Sequence, residues 1–526
     1  MKHLTRREFS ETGIRYGAAA GLLGGGLATV LAGCGDDSSS GGSTSAGTTP
    51  AGGSGGGSGG TIRIGNAEPP TSAQWDPHAA FGLADYQTWS LVYDTLLAYD
   101  SAGELVGQLA KSWKRLSPTR LRIVIHRDVH FSDGSPLGAE DVKASIERIS
   151  APQSELALAS KLPEGAKVEV RGEHELDIVT PEPFGPLEGA LVVVSIVSRR
   201  DAARPEAFKR RPLGSGPYTF VEYRNNSIRL KANPRYWRGK PGSDGVVLSY
   251  IQDPSARMNA LLTGQVDIYT RADSIVLDEV RGNADFYVND TSPASNFFYI
   301  PQFDTALRDV RVRQAIAYAI PRQQIAESIM RICPPALSSL PAASKGFRPL
   351  EPRFDLDLER ARSLLKEAGH DGGLSITLAS ASVFAHQEQV DQLVKASLEQ
   401  VGITVDIKKL ESGTFRSNFS QYGLSMNALD TPGDPNFIFS FFRPSIAREV
   451  LKWDSADFMP LVEAQRRTIG ARRQATIDAA ARYLWENQIL VYLTDDIWYT
   501  VVNRRVSGYE RSTVEGEPLL WRAKAA

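Results

Sequence analysis

The sequence predicts an α/β protein with more than one domain, because strand-like and helix-like patterns alternate along a chain too long for one core. The chain has 526 residues, and 42% of them are hydrophobic, a normal share for a globular protein. Two β-rich runs, 375–379 and 403–407, flank a helical pattern with apolar residues on one face. This order predicts a parallel βαβ unit in the second half of the chain.

Residues 212–267 predict a second compact unit of strands and one helix. Two strand-like runs are joined at Asn225 and its neighbour, a residue type that tolerates positive φ and so favours a hairpin. A third apolar run leads into a predicted helix at 255–263, with Ser255 as its cap and Gly264 at its end. The residues of this unit indicate a fold and no chemistry.

Composition argues against several functional classes. The net charge is −2 with scattered Lys and Arg, so nucleic-acid binding is not expected. No Gly-x-Ser-x-Gly, His-Glu-x-x-His or Gly-rich phosphate loop occurs after the N-terminal segment. His126 and His130 lack further ligands nearby in the sequence, so we expect neither a metal nor another cofactor. An extracellular hydrolase stays as a distant alternative to a protein without catalysis.

The N-terminus reads as a targeting segment. Arg6 and Arg7 resemble a twin-arginine export signal, although Glu11 leaves the choice of export route open. A glycine-rich apolar run follows, too short and too weakly hydrophobic for the alternative of a membrane span. The run ends in Leu-Ala-Gly before Cys34, which resembles a lipobox and predicts lipidation of that cysteine. We therefore predict a signal peptide over 1–33.

Residues 34–60 consist mostly of Gly, Ser and Thr after the cysteine. Such a composition cannot bury a core and predicts a flexible tether. Cys333 is the only other cysteine, so no intrachain disulfide is expected once Cys34 is lipidated. The sequence thus predicts an extracytoplasmic protein held to the cell membrane by lipid.

Four phrases within residues 212–267 carry a family resemblance: GSGPY at 214–218, NPRYW at 233–237, DPSAR at 253–257 and GQVD at 264–267. In this order and spacing they resemble family 5 extracellular solute-binding proteins, the peptide- and nickel-binding components of ABC importers. The resemblance extends over nearly all of the chain after the tether.

The resemblance implies a two-lobed periplasmic-binding-protein-like fold of the cluster C type, with two crossing hinge strands. The first lobe would comprise 61–95, 210–297 and 490–526, with an extra small subdomain at 96–209. The second lobe would comprise 298–489. Closure of the lobes over a ligand by hinge motion is the expected mechanism.

The resemblance also suggests residues beside the ligand cleft. Asp430 is the best match to the aspartate that pairs with a peptide's α-ammonium group, although Asn427 stands where that loop has a Trp. A turn-forming role is the alternative for Asp430. The further candidates are Asp434, Phe437, Phe81, Tyr86, Trp89, Phe298, Tyr299 and Trp498. Core packing is the alternative for the aromatic residues.

We therefore expect a substrate-binding lipoprotein of an ABC importer that captures a small solute, with a short peptide as first choice. An oligosaccharide or other non-peptide solute, and a role as sensor or chaperone, stay open. The expected partners are permease and ATPase subunits and the membrane, and the protein is expected to be a monomer. Nickel is disfavoured because no His lies in the Asp430 loop.

Overall fold

The computed structural model describes the chain from Gly59 onward with short gaps. The described residues are 59–70, 75–79, 83–208, 211–290, 295–384, 386–430, 434–497, 499–511 and 518–526. The predicted signal peptide with Arg6 and Arg7, Cys34 and most of the tether lie outside them. No helix among the described residues is both long and apolar enough to cross a membrane.

The strands are numbered here in chain order. They are β1 (Thr61–Asn66), β2 (Leu97–Tyr99), β3 (Leu105–Gly107), β4 (Ala110–Ser117), β5 (Arg120–Ile125), β6 (Lys167–Gly172), β7 (Glu175–Val179), β8 (Tyr218–Arg224), β9 (Ser227–Ala232), β10 (Gly245–Tyr250), β11 (Ile268–Ala272), β12 (Phe286–Asn289), β13 (Ser295–Pro301), β14 (Leu374–Ser380), β15 (Ile403–Lys409), β16 (Leu424–Asp430), β17 (Val491–Asp495), β18 (Tyr499–Asn503), β19 (Val506–Ser507), β20 (Glu510–Arg511), β21 (Pro518–Leu519) and β22 (Lys524–Ala525).

The α-helices are identified by their residues. They are Leu83–Trp89, Ala139–Ile149, Leu187–Ala190, Arg199–Ala202, Pro254–Leu262, Ser274–Val280, Val310–Ala319, Arg322–Gln324, Leu358–Glu367, Gln387–Glu399, Ser412–Asn418, Asn436–Phe441, Pro444–Ile446, Met459–Arg467 and Arg473–Glu486. Shorter turns of 3₁₀ helix include Ala157–Lys161, and Ile325–Met330 and Ala447–Leu451 are π-helical.

The first lobe is built on a mixed seven-stranded sheet in the order β12-β18-β11-β1-β10-β9-β8. The central strand β1 runs parallel to β10 and β11, and the remaining pairs are antiparallel. Ile62 and Ile64 of β1 are almost fully buried in its core. A smaller four-stranded antiparallel sheet, β4-β5-β7-β6, packs with the Ala139–Ile149 helix.

The predicted hairpin and helix within 212–267 are present, with one correction. Asn225 and Asn226 have φ of 51° and 53°, which gives the turn between β8 and β9 the left-handed backbone it needs. The helix begins at Pro254, and Asp253 caps it by accepting a hydrogen bond from the Ala256 amide. Ser255 was the wrong cap, because the proline occupies the first helical position.

A buried carboxylate ties this unit into the first lobe. Asp94 is fully buried and accepts hydrogen bonds from Gln108 Nε2 at 2.8 Å, Ser215 Oγ at 2.8 Å and Trp237 Nε1 at 3.2 Å. Burial raises the pKa of Asp94, and these donors act in the opposite direction. Two of the four family phrases thus meet at one polar centre inside the lobe.

The second lobe contains a five-stranded sheet in the order β15-β14-β16-β13-β17. β14 and β15 are parallel and flank the Gln387–Glu399 helix, which confirms the predicted βαβ unit. β13 and β17 pair with each other in this sheet, whereas their chain neighbours β12 and β18 pair in the first one. The predicted two-lobed α/β fold is confirmed, and the lobe boundaries by residue stay a prediction.

Candidate functional site

Four strands of the second lobe reach the same edge of their sheet. β14 runs parallel to β16, and β13 is antiparallel to both β16 and β17. The edge therefore carries the ends of β14, β16 and β17, at Ser380, Asp430 and Asp495, and the start of β13 at Ser295. In open α/β sheets, ligands bind outside the carboxyl ends of the strands. This edge is the candidate functional site.

The chain passes between the two sheets twice at this edge. β12 ends at Asn289 before β13 begins, and β17 ends one residue before Asp496, on the way to β18. The Asp496 amide donates a hydrogen bond of 2.9 Å to the Ser295 carbonyl oxygen. The Asp496 carboxylate accepts from Ser295 Oγ at 3.3 Å and from Arg271 of the first lobe at 3.4 Å. The two passages are therefore tied to one another.

Asp495 is a buried carboxylate next to this crossing. It accepts hydrogen bonds from Asn296 Nδ2 at 2.9 Å and from the Ala342 amide at 3.3 Å. Burial raises the pKa of Asp495 to about 7, and the charge of Asp496 acts in the same direction. The edge therefore contains one acidic group, Asp495, whose charged form is disfavoured by burial.

The lobes touch on the side of the small four-stranded sheet. The Gly185 amide donates to the Arg466 carbonyl oxygen at 2.6 Å, and Arg467 forms an ion pair of 2.7 Å with Glu182. Elsewhere between the lobes, Arg416 forms an ion pair of 2.9 Å with Glu68. These contacts join first-lobe residues to second-lobe residues, so the lobes of this structure are closed on one another.

Asp434 lies at this contact but is held by the protein itself. Arg473 donates to both carboxylate oxygens, with distances of 2.6 Å each, and both side chains are largely buried. A Cβ atom on Gly189 of the first lobe would come within 2.8 Å of the Asp434 Cβ. Asp434 therefore shapes the contact between the lobes, and its carboxylate already has a cationic partner.

Phe437 faces a cation of the first lobe. The Lys161 ammonium nitrogen lies 3.2 Å from the centroid of the Phe437 ring. Lys161 is the last residue of the Ala157–Lys161 turn. It is buried, whereas Phe437 is half-buried. This cation–π contact places Phe437 at the interface between the lobes.

The aromatic candidates of the first lobe are core residues in this structure. Trp89 is 2% exposed and packs edge-on against Trp75, with ring centroids 5.3 Å apart. Tyr86, one turn earlier in the same helix, is 8% exposed and belongs to the core of the small sheet. Phe81 lies outside the described residues.

The candidates in β13 are also core residues. Phe298 packs edge-on against Tyr492 with ring centroids 6.2 Å apart. Tyr299 is fully buried, and its hydroxyl donates to Asp391 Oδ1 at 2.6 Å. Burial raises the pKa of Asp391 to about 6. Phe298 and Tyr299 therefore pack in the core, which was the alternative interpretation of the aromatic candidates.

Among the candidates whose side chains are described, Asp434 and Phe437 lie at the contact between the lobes, whereas the other described candidates lie in the cores. Asp430 ends β16 opposite Ser295, and its side chain and residues 431–433 lie outside the description. Trp498 also lies outside the described residues. Among the described residues, no group of three or more His, Cys, Asp or Glu is placed to hold a metal ion.

Sequence reasoning missed Arg473, Lys161 and Asp495. Arg473 is 39 residues from Asp434 and Lys161 is in the other lobe from Phe437, so neither pair has a local signal. Asp495 did have a local signal in the sequence. Two consecutive aspartates directly after the apolar run of β17 are unusual at the end of a buried strand.

Residues 104–448 match the bacterial extracellular solute-binding proteins, family 5, and the chain belongs to this family. A putative ABC transporter peptide-binding protein of Brucella ovis is 28% identical over 376 residues, covering 68% of this chain and 70% of the relative. Di/tripeptide-binding protein 2 of Pseudomonas aeruginosa is 25% identical over 464 residues, covering 80% and 87%.

A solved structure has the same fold. NikZ from Campylobacter jejuni in complex with Ni(L-His) superposes with a TM-score of 0.80 at 21% identity, covering 88% of this chain and 99% of NikZ. Membership in the family gives the chain a solute-binding role in an importer, on the extracytoplasmic side. The family consists of binding components of transporters and is not a class of enzymes.

Proposed function

We propose that this chain delivers a short peptide to an ABC permease, holding the peptide at the acidic edge of the second-lobe sheet. The observation that carries the proposal is the set of acidic residues at this edge: Asp430 ends β16, Asp495 ends β17 and Asp496 follows it. An α-ammonium group paired with a carboxylate in a closed, water-poor contact forms a strong charge-assisted hydrogen bond. The names of the relatives from Brucella ovis and Pseudomonas aeruginosa support a peptide.

We propose roles for the candidate residues. Asp430 accepts the α-ammonium group, and Phe437, with Phe81 and Trp498, bounds the peptide's side chains. Asp434 organises the loop through Arg473. Trp89, Phe298 and Tyr299 support the two lobes from their cores.

Closure of the lobes is the proposed signal to the permease. A ligand favours the closed form only to the extent that it binds that form better than the open one. Lys161 on Phe437 and Glu182 on Arg467 are contacts that form only when the lobes meet. We further propose a monomer that is exported as a twin-arginine lipoprotein, anchored through Cys34 and partnered by permease and ATPase subunits.

A thermal-shift panel tests the ligand class. Dialanine, trialanine and a longer peptide are compared with the same peptides acetylated at the N-terminus and with a set of oligosaccharides. We expect a free-amine peptide to raise Tm, because binding to the native state stabilises it, and the acetylated form to have little effect. A shift caused only by an oligosaccharide would show that the peptide proposal is wrong.

The Asp430→Asn variant tests the ammonium contact. Calorimetry should show affinity for the free-amine peptide reduced about tenfold or more, since one partner of a charge pair is lost. Asp406→Asn is the matched control, because the Asp406 side chain is 58% exposed on β15 and pairs only with Lys408 among the described ion pairs. Equal affinity in both variants would remove Asp430 from the site.

A further inference from the structure

A cavity lies wholly within the second lobe, apart from the contact between the lobes. It encloses about 670 Å³ and lies between the start of the Arg322–Gln324 helix, residues 334–337 and residues 353–356. Trp485 closes one side. The volume is in the range of sites that bind small organic molecules.

Arg322 places a buried positive charge on the wall of this cavity. The residue is 6% exposed, and its guanidinium donates to three carbonyl oxygens: Tyr492 at 2.7 Å, Ala317 at 2.5 Å and Phe354 at 2.7 Å. These bonds engage Nε and one terminal nitrogen, and they fix the orientation of the planar group. The other terminal nitrogen is therefore held in one direction.

That second terminal nitrogen has no hydrogen-bond partner among the described residues, although it is buried. Arg322 also forms no ion pair in the described part of the chain, although the nearby charge of Asp355 acts to raise its pKa. Burial lowers the pKa of Arg322 to about 10, so the group stays charged at neutral pH. A buried charge without a counter-ion in direct contact is costly, and an anion that entered the cavity would reduce that cost.

The other walls determine what kind of anion fits. Pro334, Pro335, Leu337 and Phe354 present apolar surface, and Leu356 lies at the mouth with 53% exposure. The other charged groups facing the cavity are the exposed side chains of Glu327, Arg353 and Asp355. At the mouth, the two acidic residues Glu327 and Asp355 outnumber the single basic residue Arg353. Their negative charge disfavours a highly charged anion. The buried charge and the apolar walls together favour one negative group on an apolar body.

We propose that this cavity is a second binding site, which takes a small organic monocarboxylate with its carboxylate on Arg322 and its apolar body against Pro334, Pro335 and Phe354. The site is separate from the peptide site, because none of its lining residues is among those proposed to hold the peptide. It is next to β17, whose Tyr492 carbonyl oxygen is one of the partners of Arg322.

Benzoate, its neutral analogue benzamide and inorganic phosphate are the probes, each added at about 10 mM to the full chain. We expect benzoate to raise Tm by about 2 °C, which corresponds to a Kd near 1 mM. Benzamide and phosphate should have less than half of that effect. Equal shifts from benzamide or from phosphate, or no shift from benzoate, would each overturn the proposal.

Two variants locate the site. Arg322→Lys should abolish the benzoate shift, but it also removes bonds to three carbonyl groups and can destabilise the fold. Leu356→Glu therefore provides a second test, because it changes only an exposed residue and puts a repelling charge at the mouth. It should weaken benzoate at least about threefold. Leu116→Glu is the matched control, at an exposed leucine of the first lobe. Identical benzoate affinity in the two glutamate variants would contradict the assignment.

Discussion

Arg473 donates two parallel hydrogen bonds of 2.6 Å to Asp434, one to each carboxylate oxygen, beside the contact of Asp434 with Gly189 of the first lobe. The fork geometry of the guanidinium matches the carboxylate and fixes its plane. The pair thus sets the shape of the second lobe where the first lobe rests on it.

Arg473→Ala should lower the free energy of unfolding by about 2 to 3 kcal/mol, because it leaves the largely buried Asp434 carboxylate without its partner. Urea unfolding at neutral pH measures the change. Arg467→Ala is the control: Arg467 is 58% exposed, and its surface ion pair with Glu182 should contribute less than about 1 kcal/mol. Equal losses in the two variants would contradict the structural role of the Arg473–Asp434 pair.

Asp495 should make stability depend on pH. Its pKa is raised from 3.8 to about 7 in the folded protein, so the folded state holds a proton that the unfolded state releases. Its contribution is fully present below about pH 4 and is lost as pH rises to about 7, for a total of a few kcal/mol. Asp495→Asn mimics the protonated form and should remove this loss.

Urea unfolding between pH 4 and pH 8 compares the two proteins. Relative to the wild type, Asp495→Asn should gain stability as pH rises through this window. Asp406→Asn, at an exposed position, should follow the wild-type curve. Parallel curves for wild type and Asp495→Asn would show that Asp495 ionises normally. Asp391, with a pKa of about 6, should leave a smaller slope in all three proteins.

Trp237→Phe should destabilise the first lobe by removing one hydrogen bond to Asp94. The indole Nε1 donates to the fully buried carboxylate at 3.2 Å, and losing one donor to a buried carboxylate costs about 1 to 2 kcal/mol. Trp113→Phe is the matched change, in a tryptophan that packs against the small-sheet core. If unfolding shows the same loss for both variants, the hydrogen bond contributes nothing.

Cys34→Ser should release the protein from the membrane, because the predicted lipid attaches to that sulfur. Cell fractionation and blotting measure the distribution. Cys333→Ser is the control: Cys333 is buried and its pKa is raised to about 12 by burial, so it is no site for lipid. Membrane retention of Cys34→Ser would contradict the lipobox prediction, and export that persists with Lys at both Arg6 and Arg7 would contradict the twin-arginine signal.

Local sequence predicted local structure well. The hairpin at Asn225 follows from φ preferences, and the βαβ unit ending in β15 follows from the spacing of apolar residues, since both depend on neighbours in the chain. The cap of the Pro254–Leu262 helix was misplaced by two residues because Ser255 and Asp253 are both good caps, and proline decides between them.

The site was harder to predict, because its contacts join distant residues. Asp434 reads as a free carboxylate until Arg473 is placed beside it, and Tyr299 reads as an exposed aromatic candidate until Asp391 accepts its hydroxyl. Burial in a crossing strand also has no local signature, since β13 is covered on both faces. Composition shows which residues could act, and only packing shows which are already engaged.

The two passages between the sheets have a mechanical consequence. β13 and β17 are neighbours in one sheet, and the Asp496 amide bonds to Ser295 where both leave it. Two hydrogen-bonded segments that cross side by side are expected to resist twisting and sliding against each other, while both can bend in the same direction. We therefore expect hinge motion of the lobes to bend these two passages together, with the bonds between Ser295 and Asp496 keeping them side by side.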